Sequence, residues 1–465
     1  MADFVELLST ANDLLDKRER DKAERALKAA QPLAVTPAEQ ALVLIGLADV
    51  AFYRDKNDQQ ALDLLEQSLA LSQPRLDLRS DDRHAALALA KACRDKSMYL
   101  LMMHRPAEAL APLDAMLDRL LDQVGTNDPD DEIERRLCRT IVDSMLLKGD
   151  HLKHERGEDG KREAVACYRD LIRRFRDVKD LDVMRDVARA MRRCGWELGW
   201  LRRSDEEIAA YDDVIATYGH LDDAGIRDVV LQALEGKLLA FRDQEDFEAT
   251  LEACDDLLAR YEKDSKESTM DIVARTLIRK GGVLNKLGKI GPELACYEKV
   301  IATCADHPEP ELRKHAAEAL LSKAVALSEA DQAAAEMECY DELLRRYAED
   351  ESDRVRVVAA HGLVHMGLSL RAIAEDAAED TGVLETDAEI ACYDRVIARY
   401  GDEGSDSMAR AVAEAQQHKG ESLLETGRMA EAAACFDAII DGYSDSRDSV
   451  LAEIVADARA LRAEC

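Results

Sequence analysis

ACYEKVIATC at residues 295–304 comes back as ACYDRVIARY at 391–400, with looser copies on either side. Each copy carries an aromatic residue or a cysteine at one place, and that anchor works as a ruler. Tyr168, Tyr211, Cys254, Tyr297 and Tyr340 follow one another at equal intervals of 43, Tyr393 comes 53 after Tyr340, and Phe436 again 43 after Tyr393. Five equal steps and one longer by ten define a tandem repeat, which has to be settled before any local motif is weighed.

The spacing inside a copy identifies its secondary structure. Tyr168, Leu171, Ile172 and Phe175, like Tyr297, Val300, Ile301 and Cys304, fall at i, i+3, i+4 and i+7, one apolar stripe of an α-helix. This is helix B. A second periodic segment, helix A, precedes it and carries a small residue at Gly195, Gly281, Ala324, Gly367 and Gly420, sixteen positions ahead of the anchor in four of the five. Each repeat therefore reads as a helical hairpin whose small residue lets the partner helix come close. Gly367 keeps the regular step from Ala324 but stands ten positions further from its anchor Tyr393 than the others do, so the extra sequence falls between the two helices of that hairpin. The stretch LRAIAEDAAEDTGVLETD is helix-forming up to Thr381 and Gly382, which predicts a longer helix A followed by a turn. The competing reading of this insertion, near 370–382, is a lip that touches a partner.

These hairpins resemble the tetratricopeptide repeat (TPR) family, which pairs a small residue in helix A with an Ala-x3-aromatic pattern in helix B. That pattern stands here as Ala164 with Tyr168 and as Ala432 with Phe436; Glu207, Glu293 and Glu389 replace the alanine elsewhere. The 43-residue period exceeds the family's usual ~34, making this a long-period variant, and HEAT or armadillo repeats at about 40–47 are the runner-up. The resemblance implies an all-α solenoid of tandem antiparallel hairpins in one continuous right-handed superhelix, a scaffold that binds proteins in the groove lined by its A helices. Residues 1–160 suggest further, less regular hairpins, 161–445 the regular 43-residue repeats, and 446–465 a capping helix, about ten hairpins in all.

Composition narrows the partners. Aromatic residues make up 4% and prolines number only 9, so strands have little material. A net charge of −33 argues against a general role on nucleic acid or anionic lipid. The opening MADFVELLSTANDLLDKRER has neither the basic start nor the apolar core of a signal peptide, and a cytoplasmic location is the expectation. Cys167, Cys296, Cys339, Cys392 and Cys435 share one register just before their anchors and read as small packing residues, and no CxxC pair exists. His151 with His154 and His361 with His365 lack the rest of a zinc site. GGVLNKLGKI resembles a phosphate loop, yet five positions separate Gly282 from Gly288, Ile290 stands where Ser or Thr is needed, and no strand precedes it. No catalytic set stands out, so no enzyme activity, metal or cofactor is expected.

One segment departs from the acidic background. Residues 161–203 hold 13 Lys or Arg against seven acids, a balance of +6 within a total of −33, so the rest of the chain sums to −39. Both tryptophans lie in the same stretch. In RAMRRCGWELGW, Arg189, Arg192, Trp196 and Trp200 share one helical face, with Arg193 beside them. By the resemblance this is the groove-lining face, and Arg242, Arg275, Arg279 and Asn285 of the next two repeats would extend it. The expected ligand is a protein or peptide, acidic or carboxylate-bearing. The bland alternative makes the tryptophans inter-hairpin core and pairs the arginines with neighbouring acids. Two functions from different classes remain: a non-catalytic scaffold or adaptor, or a regulatory or sensor subunit of a larger enzyme complex such as a protease or nuclease effector.

Overall fold

A computed structural model describes residues 3–76, 82–121, 132–155, 157–381, 384–403 and 405–465. Among the described residues there are twenty-one α-helices and no strand. The chain divides into two compact units, Met1–Gln244 and Glu245–Cys465.

The first unit holds five hairpins in A–B order: α1 (Phe4–Asp16) with α2 (Arg20–Ala30), α3 (Pro37–Asp49) with α4 (Asp58–Leu76), α5 (Arg83–Met102) with α6 (Pro106–Leu120), α7 (Glu132–Glu155) with α8 (Gly157–Phe175), and α9 (Leu181–Trp200) with α10 (Ser204–Tyr218). An A helix, α11 (Ala224–Asp243), follows them. The second unit opens on a B helix, α12 (Phe247–Tyr261). It continues with α13 (Glu267–Lys286) and α14 (Ile290–Cys304), α15 (Pro310–Glu329) and α16 (Ala333–Tyr347), α17 (Asp353–Thr381) and α18 (Asp387–Tyr400), and α19 (Asp406–Glu425) and α20 (Met429–Tyr443), closed by α21 (Ser449–Arg462). Within each unit the A helix of each complete hairpin packs on its own B helix, on the preceding B helix where the unit has one and on the neighbouring A helices, the nearest-neighbour contact pattern of an α-solenoid.

The anchor ring sets the distance between the two helices of a hairpin. A Cβ placed on Gly195 would sit 2.7 Å from the Tyr211 ring, one on Gly281 2.5 Å from Tyr297, one on Gly367 2.6 Å from Tyr393 and one on Gly420 2.6 Å from Phe436. No side chain fits there while the ring stays. In the hairpin of α7 and α8 the glycine against Tyr168 is Gly149, nineteen positions ahead instead of sixteen, because α8 begins eleven positions before its anchor where α10 begins seven. Where the anchor shrinks to Cys254, the residue sixteen ahead of it grows to Leu238. Gly288, read against a phosphate loop, has φ +67° in the turn between α13 and α14, a conformation that Arg202, Glu245, Asp331 and Gly427 adopt in the corresponding turns.

Helix α17 is 29 residues long against 20 in α15 and in α19, so the inserted sequence lengthens this helix to Thr381. The turn expected at Gly382 lies outside the described residues. Among the described residues α17 is the one helix long and apolar enough to cross a membrane. Its Val355, Ala359, Ala360 and Leu363 are fully buried, and α15, α16, α18 and α19 pack around it, as for the inner helix of any repeat.

Polar contacts join consecutive hairpins. Arg139 reaches Asp180, Arg185 reaches Asp223 and Arg410 reaches Asp448, and each of these aspartates also accepts from backbone N–H groups to cap the next A helix. A second row pairs the residue after an anchor with a lysine 25 positions on: Asp212 with Lys237 at 2.6 Å, Asp255 with Lys280 at 2.5 Å, Glu298 with Lys323 at 2.9 Å and Asp394 with Lys419 at 2.5 Å.

The glutamates that replace the family's alanine have a structural explanation. Glu207, Glu293, Glu336 and Glu389 each stand one turn ahead of a tyrosine anchor, and Glu293 and Glu389 are only 2% and 1% exposed. Tyr211 donates to Glu207 Oε1 at 3.4 Å and Tyr297 to Glu293 Oε1 at 3.3 Å, while Ser369 of α17 donates to Glu336. At Tyr168 the position is Ala164, and the hydroxyl donates instead to Asp150 of α7 at 2.7 Å. Anchors without a phenol, Cys254 and Phe436, have Thr250 and Ala432 there. A carboxyl thus accompanies the tyrosine hydroxyl at Tyr211 and Tyr297, in keeping with the cost of leaving either without a partner, whereas the Tyr393 hydroxyl and both Glu389 oxygens are buried without a hydrogen bond among the described residues. Burial raises the Glu197, Glu293 and Glu389 carboxyls above the usual carboxylate range and takes Glu207 to about 7.

Gly281→Leu alone should overpack the α13/α14 hairpin and lower the unfolding free energy by about 1–3 kcal/mol. Adding Tyr297→Cys and Glu293→Thr, which copies the Leu238, Thr250 and Cys254 combination, restores most of that loss; urea melts in which the triple variant is no better than the single would refute the ring-and-glycine account. For Glu207, whose folded pKa is raised, the stabilising contribution is full below the unfolded value near 4.5 and is lost as pH climbs to about 7. Glu207→Gln should therefore gain on the wild type between pH 5 and pH 8 in thermal melts, and parallel curves for the two proteins would show that Glu207 does not titrate there.

Candidate functional site

Helix α9 starts where Asp180 accepts from the N–H groups of Asp182 and Val183. Its buried side carries Val183, Val187, Met191, Cys194 and Leu198. The opposite stripe, at helical spacing, carries Arg185, Arg189, Arg192 with Arg193, Trp196 and Trp200. Both indoles lie on this accessible side: Trp196 is 45% and Trp200 61% exposed, so neither is inter-hairpin core. The Lys161 ammonium of α8 sits 4.5 Å over the Trp200 ring. A Cβ on Gly199 would come within 2.6 Å of the Glu207 carboxyl, so the last turn of α9, with its tryptophans, rests directly on that half-buried acid.

Most of the arginines have carboxylate partners; among the described residues the exposed Arg202 and the half-buried Arg192 have none. Arg189 pairs with Asp186 at 2.7 Å. Arg193 pairs with Asp150 of α7, which also accepts from Tyr168 at 2.7 Å and Lys153 at 3.3 Å. Arg169 goes to Glu206, Arg176 to Asp213 and Arg185 to Asp223, each in the neighbouring hairpin or at the start of the helix after it. The surplus of base in 161–203 is therefore largely absorbed by acids outside the segment. Arg192 differs from Arg202 in being half-buried: it makes no hydrogen bond or ion pair among the described residues, and its Nε is enclosed without an acceptor. Burial and the adjacent Arg193 press its guanidinium pKa downward, against a weaker upward pull from Tyr211, Asp150 and Tyr168.

The residues expected to widen this surface from the next two repeats have contacts of their own. Arg242 pairs with Asp243 at the end of α11. Arg275, Arg279 and Asn285 lie on α13 in the second unit, where Arg275 meets Asp271 at 3.0 Å and Asn285 donates to Glu329 at 2.5 Å. The division of the chain between α11 and α12 leaves α9 and its immediate neighbours as the candidate site. Lys91 of α5 was not among the expected residues, yet it too is half-buried and without a hydrogen bond or ion pair among the described residues. In KACRDK it looks like any solvated lysine, and the irregular spacing of the first hairpins hides which face it occupies.

The remaining candidates fall into structural roles. His361 meets Glu414 at 3.3 Å, and His315 is buried between Asp271 at 2.8 Å and Glu318 at 3.1 Å. Among the described residues no three His, Cys, Asp or Glu side chains gather in a way that could hold a metal ion. Burial raises the Cys167 thiol to about 11 and Cys254 to about 12, which makes them poor nucleophiles.

No family model matches the chain, and no curated protein matches it. Among solved structures it is similar to the apo form of RapI, at 10% identity and TM-score 0.43, over 90% of this chain and 97% of that one. It is similar also to a Rap protein complexed with competence and sporulation factor, at 14% identity and TM-score 0.32, over 92% and 100%. A third is BtubC (BKLC) from P. vanneervenii, at 13% identity and TM-score 0.34, over 58% and 92%. At such low TM-scores these likenesses carry nothing about ligand or partner, and the functional reading stands on the geometry of α9.

Proposed function

We propose that this chain is a non-catalytic protein-binding scaffold, a long-period TPR-like array that holds an acidic or carboxylate-bearing protein segment against the accessible face of α9. The observation that carries this reading is the conjunction on one helix of two exposed tryptophans, the only two in the protein, with a half-buried guanidinium that has no acceptor among the described residues. A cation withdrawn from water without a partner is costly, and a ligand carboxylate is the group that offsets the cost. Exposed indoles beside it supply apolar area with little conformational freedom to lose, and Trp and Arg are the side chains that most often dominate binding energy at protein interfaces.

The acidic background of the whole chain does not oppose this. At physiological ionic strength charges are screened beyond about 8 Å, so a contact made at Arg192 responds to its immediate neighbours, where Arg189, Arg193 and Lys161 also lie. The same screening makes the binding sensitive to salt.

Capture of partners from native extract, followed by mass spectrometry, tests the proposal. Arg192→Glu, and separately Trp196→Ala with Trp200→Ala, should release the captured protein, with a loss of about 2 kcal/mol or more for a dominant residue. Helical circular dichroism should be unchanged, because none of the three side chains belongs to the buried side of α9. Full capture by both variants would remove α9 as the binding surface.

A further inference from the structure

His315 of α15 is 2% exposed and has a carboxylate at each ring nitrogen. Asp271 of α13 lies 2.8 Å from Nε2, and Glu318, one turn on in α15, lies 3.1 Å from Nδ1. An ionised carboxylate only accepts hydrogen bonds, and a neutral imidazole offers one N–H and one lone pair. Two such partners at once therefore require the imidazolium, in which both nitrogens donate. The bond to Asp271 crosses between consecutive A helices of the second unit.

The repeat shows that packing makes no demand for an imidazole here. At the same register stand Val229 and Ile272 in the two preceding repeats and Val358 in the following one, all buried. Other ties between successive hairpins use arginine, as in Arg313 with Asp350 at 2.8 Å and Arg356 with Glu403 at 2.9 Å, and a guanidinium keeps its charge at any pH the fold meets. His361, set between α17 and α19, meets the single carboxylate of Glu414 at 3.3 Å, a bond that a neutral ring can make. His315 is thus the imidazole whose contacts depend on its proton.

The charged groups around it supply a fallback for both carboxylates. Arg275 of α13 also meets Asp271, at 3.0 Å, and Lys314 of α15 also meets Glu318, at 3.2 Å. Lys314 and Arg354 of α17 share Glu311, one turn before His315. Asp353, Arg354 and His361 of α17 line the groove that Glu318 borders, and α14 brings the buried Cys304 thiol near Asp271. Among the described residues no charged side chain of α16 pairs with His315, Asp271 or Glu318. Burial presses the His315 pKa down, and the bonds to Asp271 and Glu318 outweigh it and hold it above the ordinary 6.5.

We infer that His315 is a proton-operated tie between the α13/α14 and α15/α16 hairpins: charged, it holds Asp271 and Glu318 together, and neutral, it has one N–H for two carboxylates and the junction loosens. The inference is independent of the reading of α9, which lies in the first unit. Because the folded pKa is raised, the stabilising contribution is full below 6.5 and is lost as pH climbs through the folded value. Arg275 and Lys314 remain to compensate the released carboxylates, so the change is a loosening of one junction and not a loss of the fold.

NMR of the full chain with labelled histidine, titrated from acid to mildly alkaline pH, reads the proton directly. One imidazole should titrate above 6.5, its signal absent in His315→Gln and its midpoint lowered in Asp271→Asn. In thermal melts the advantage of the wild type over His315→Val, which copies Val358, should shrink as pH rises through that midpoint, and amide exchange in α13 and α15 should quicken beyond its intrinsic pH dependence. Absence of any histidine midpoint above 6.5 in the wild type would overturn the inference without recourse to a variant. So would a midpoint unmoved by Asp271→Asn, or a wild-type advantage that is level or grows with pH.

Discussion

The contact between a bare helix A backbone and the ring of the anchor is the constraint on which each regular hairpin depends. It fixes how closely two helices lie, and through that which residues of helix A face its partner and which face away. With Gly195 under Tyr211 and Gly281 under Tyr297, the rotation of α9 and α13 about their axes is set within a narrow range. Trp196, the residue next to Gly195, is outward for this reason: if the glycine faces the ring, its neighbour one step round the helix cannot.

A tyrosine buried at that point brings a hydroxyl into the core, and the rest of the polar interior follows from its need for a partner. Glu207 and Glu293 provide it from the same helix, Asp150 from the preceding one, and the requirement lapses at Cys254 and Phe436. The last tyrosine of a B helix uses its hydroxyl differently. Tyr347 donates to the Ala305 carbonyl and Tyr400 to the Ala348 carbonyl, each at 3.1 Å, satisfying an orphan at the end of the preceding B helix. These acids have a further consequence at α9, since the half-buried Glu207 lies directly under Gly199 and ties the last turn of the candidate site to the hairpin beneath it.

Much of this was legible in the sequence because the same packing problem is solved repeatedly in one register. The ring, the small residue sixteen positions ahead and the extra length of α17 all follow from intervals. The site was harder to read. Charge summed over 161–203 marks a basic patch, but the partners of Arg169, Arg176 and Arg185 stand in the following hairpin or just beyond it, and that of Arg193 stands in the helix before, all outside the segment. Such a sum does not distinguish Arg193, tied to Asp150, from the adjacent Arg192, whose Nε has no acceptor. Lys91 was out of reach for a different reason, since the first hairpins do not keep the regular step and no ruler assigns its face.

Tandem repeats supply their own controls, and this strengthens the case for α9. A residue that departs from its equivalents for structural reasons leaves a matching change nearby. Leu238 appears at the register position that goes with the smaller anchor Cys254, and Ala164 stands without a carboxyl where Asp150 of α7 receives the Tyr168 hydroxyl. One and two repeats after Trp200 stand Asp243 and Lys286, after Trp196 Leu239 and Gly282, and after Arg192 Glu235 and Ile278. Packing at these positions evidently makes no demand for an indole or a guanidinium. The substitution of both on α9 has no compensating change in the core beneath it, where Val187, Met191 and Leu198 fill the ordinary buried stripe. What the hairpin does not need for its own stability, exposed to solvent and partly stripped of water without an acceptor, is most simply accounted for by a ligand that supplies the missing contacts.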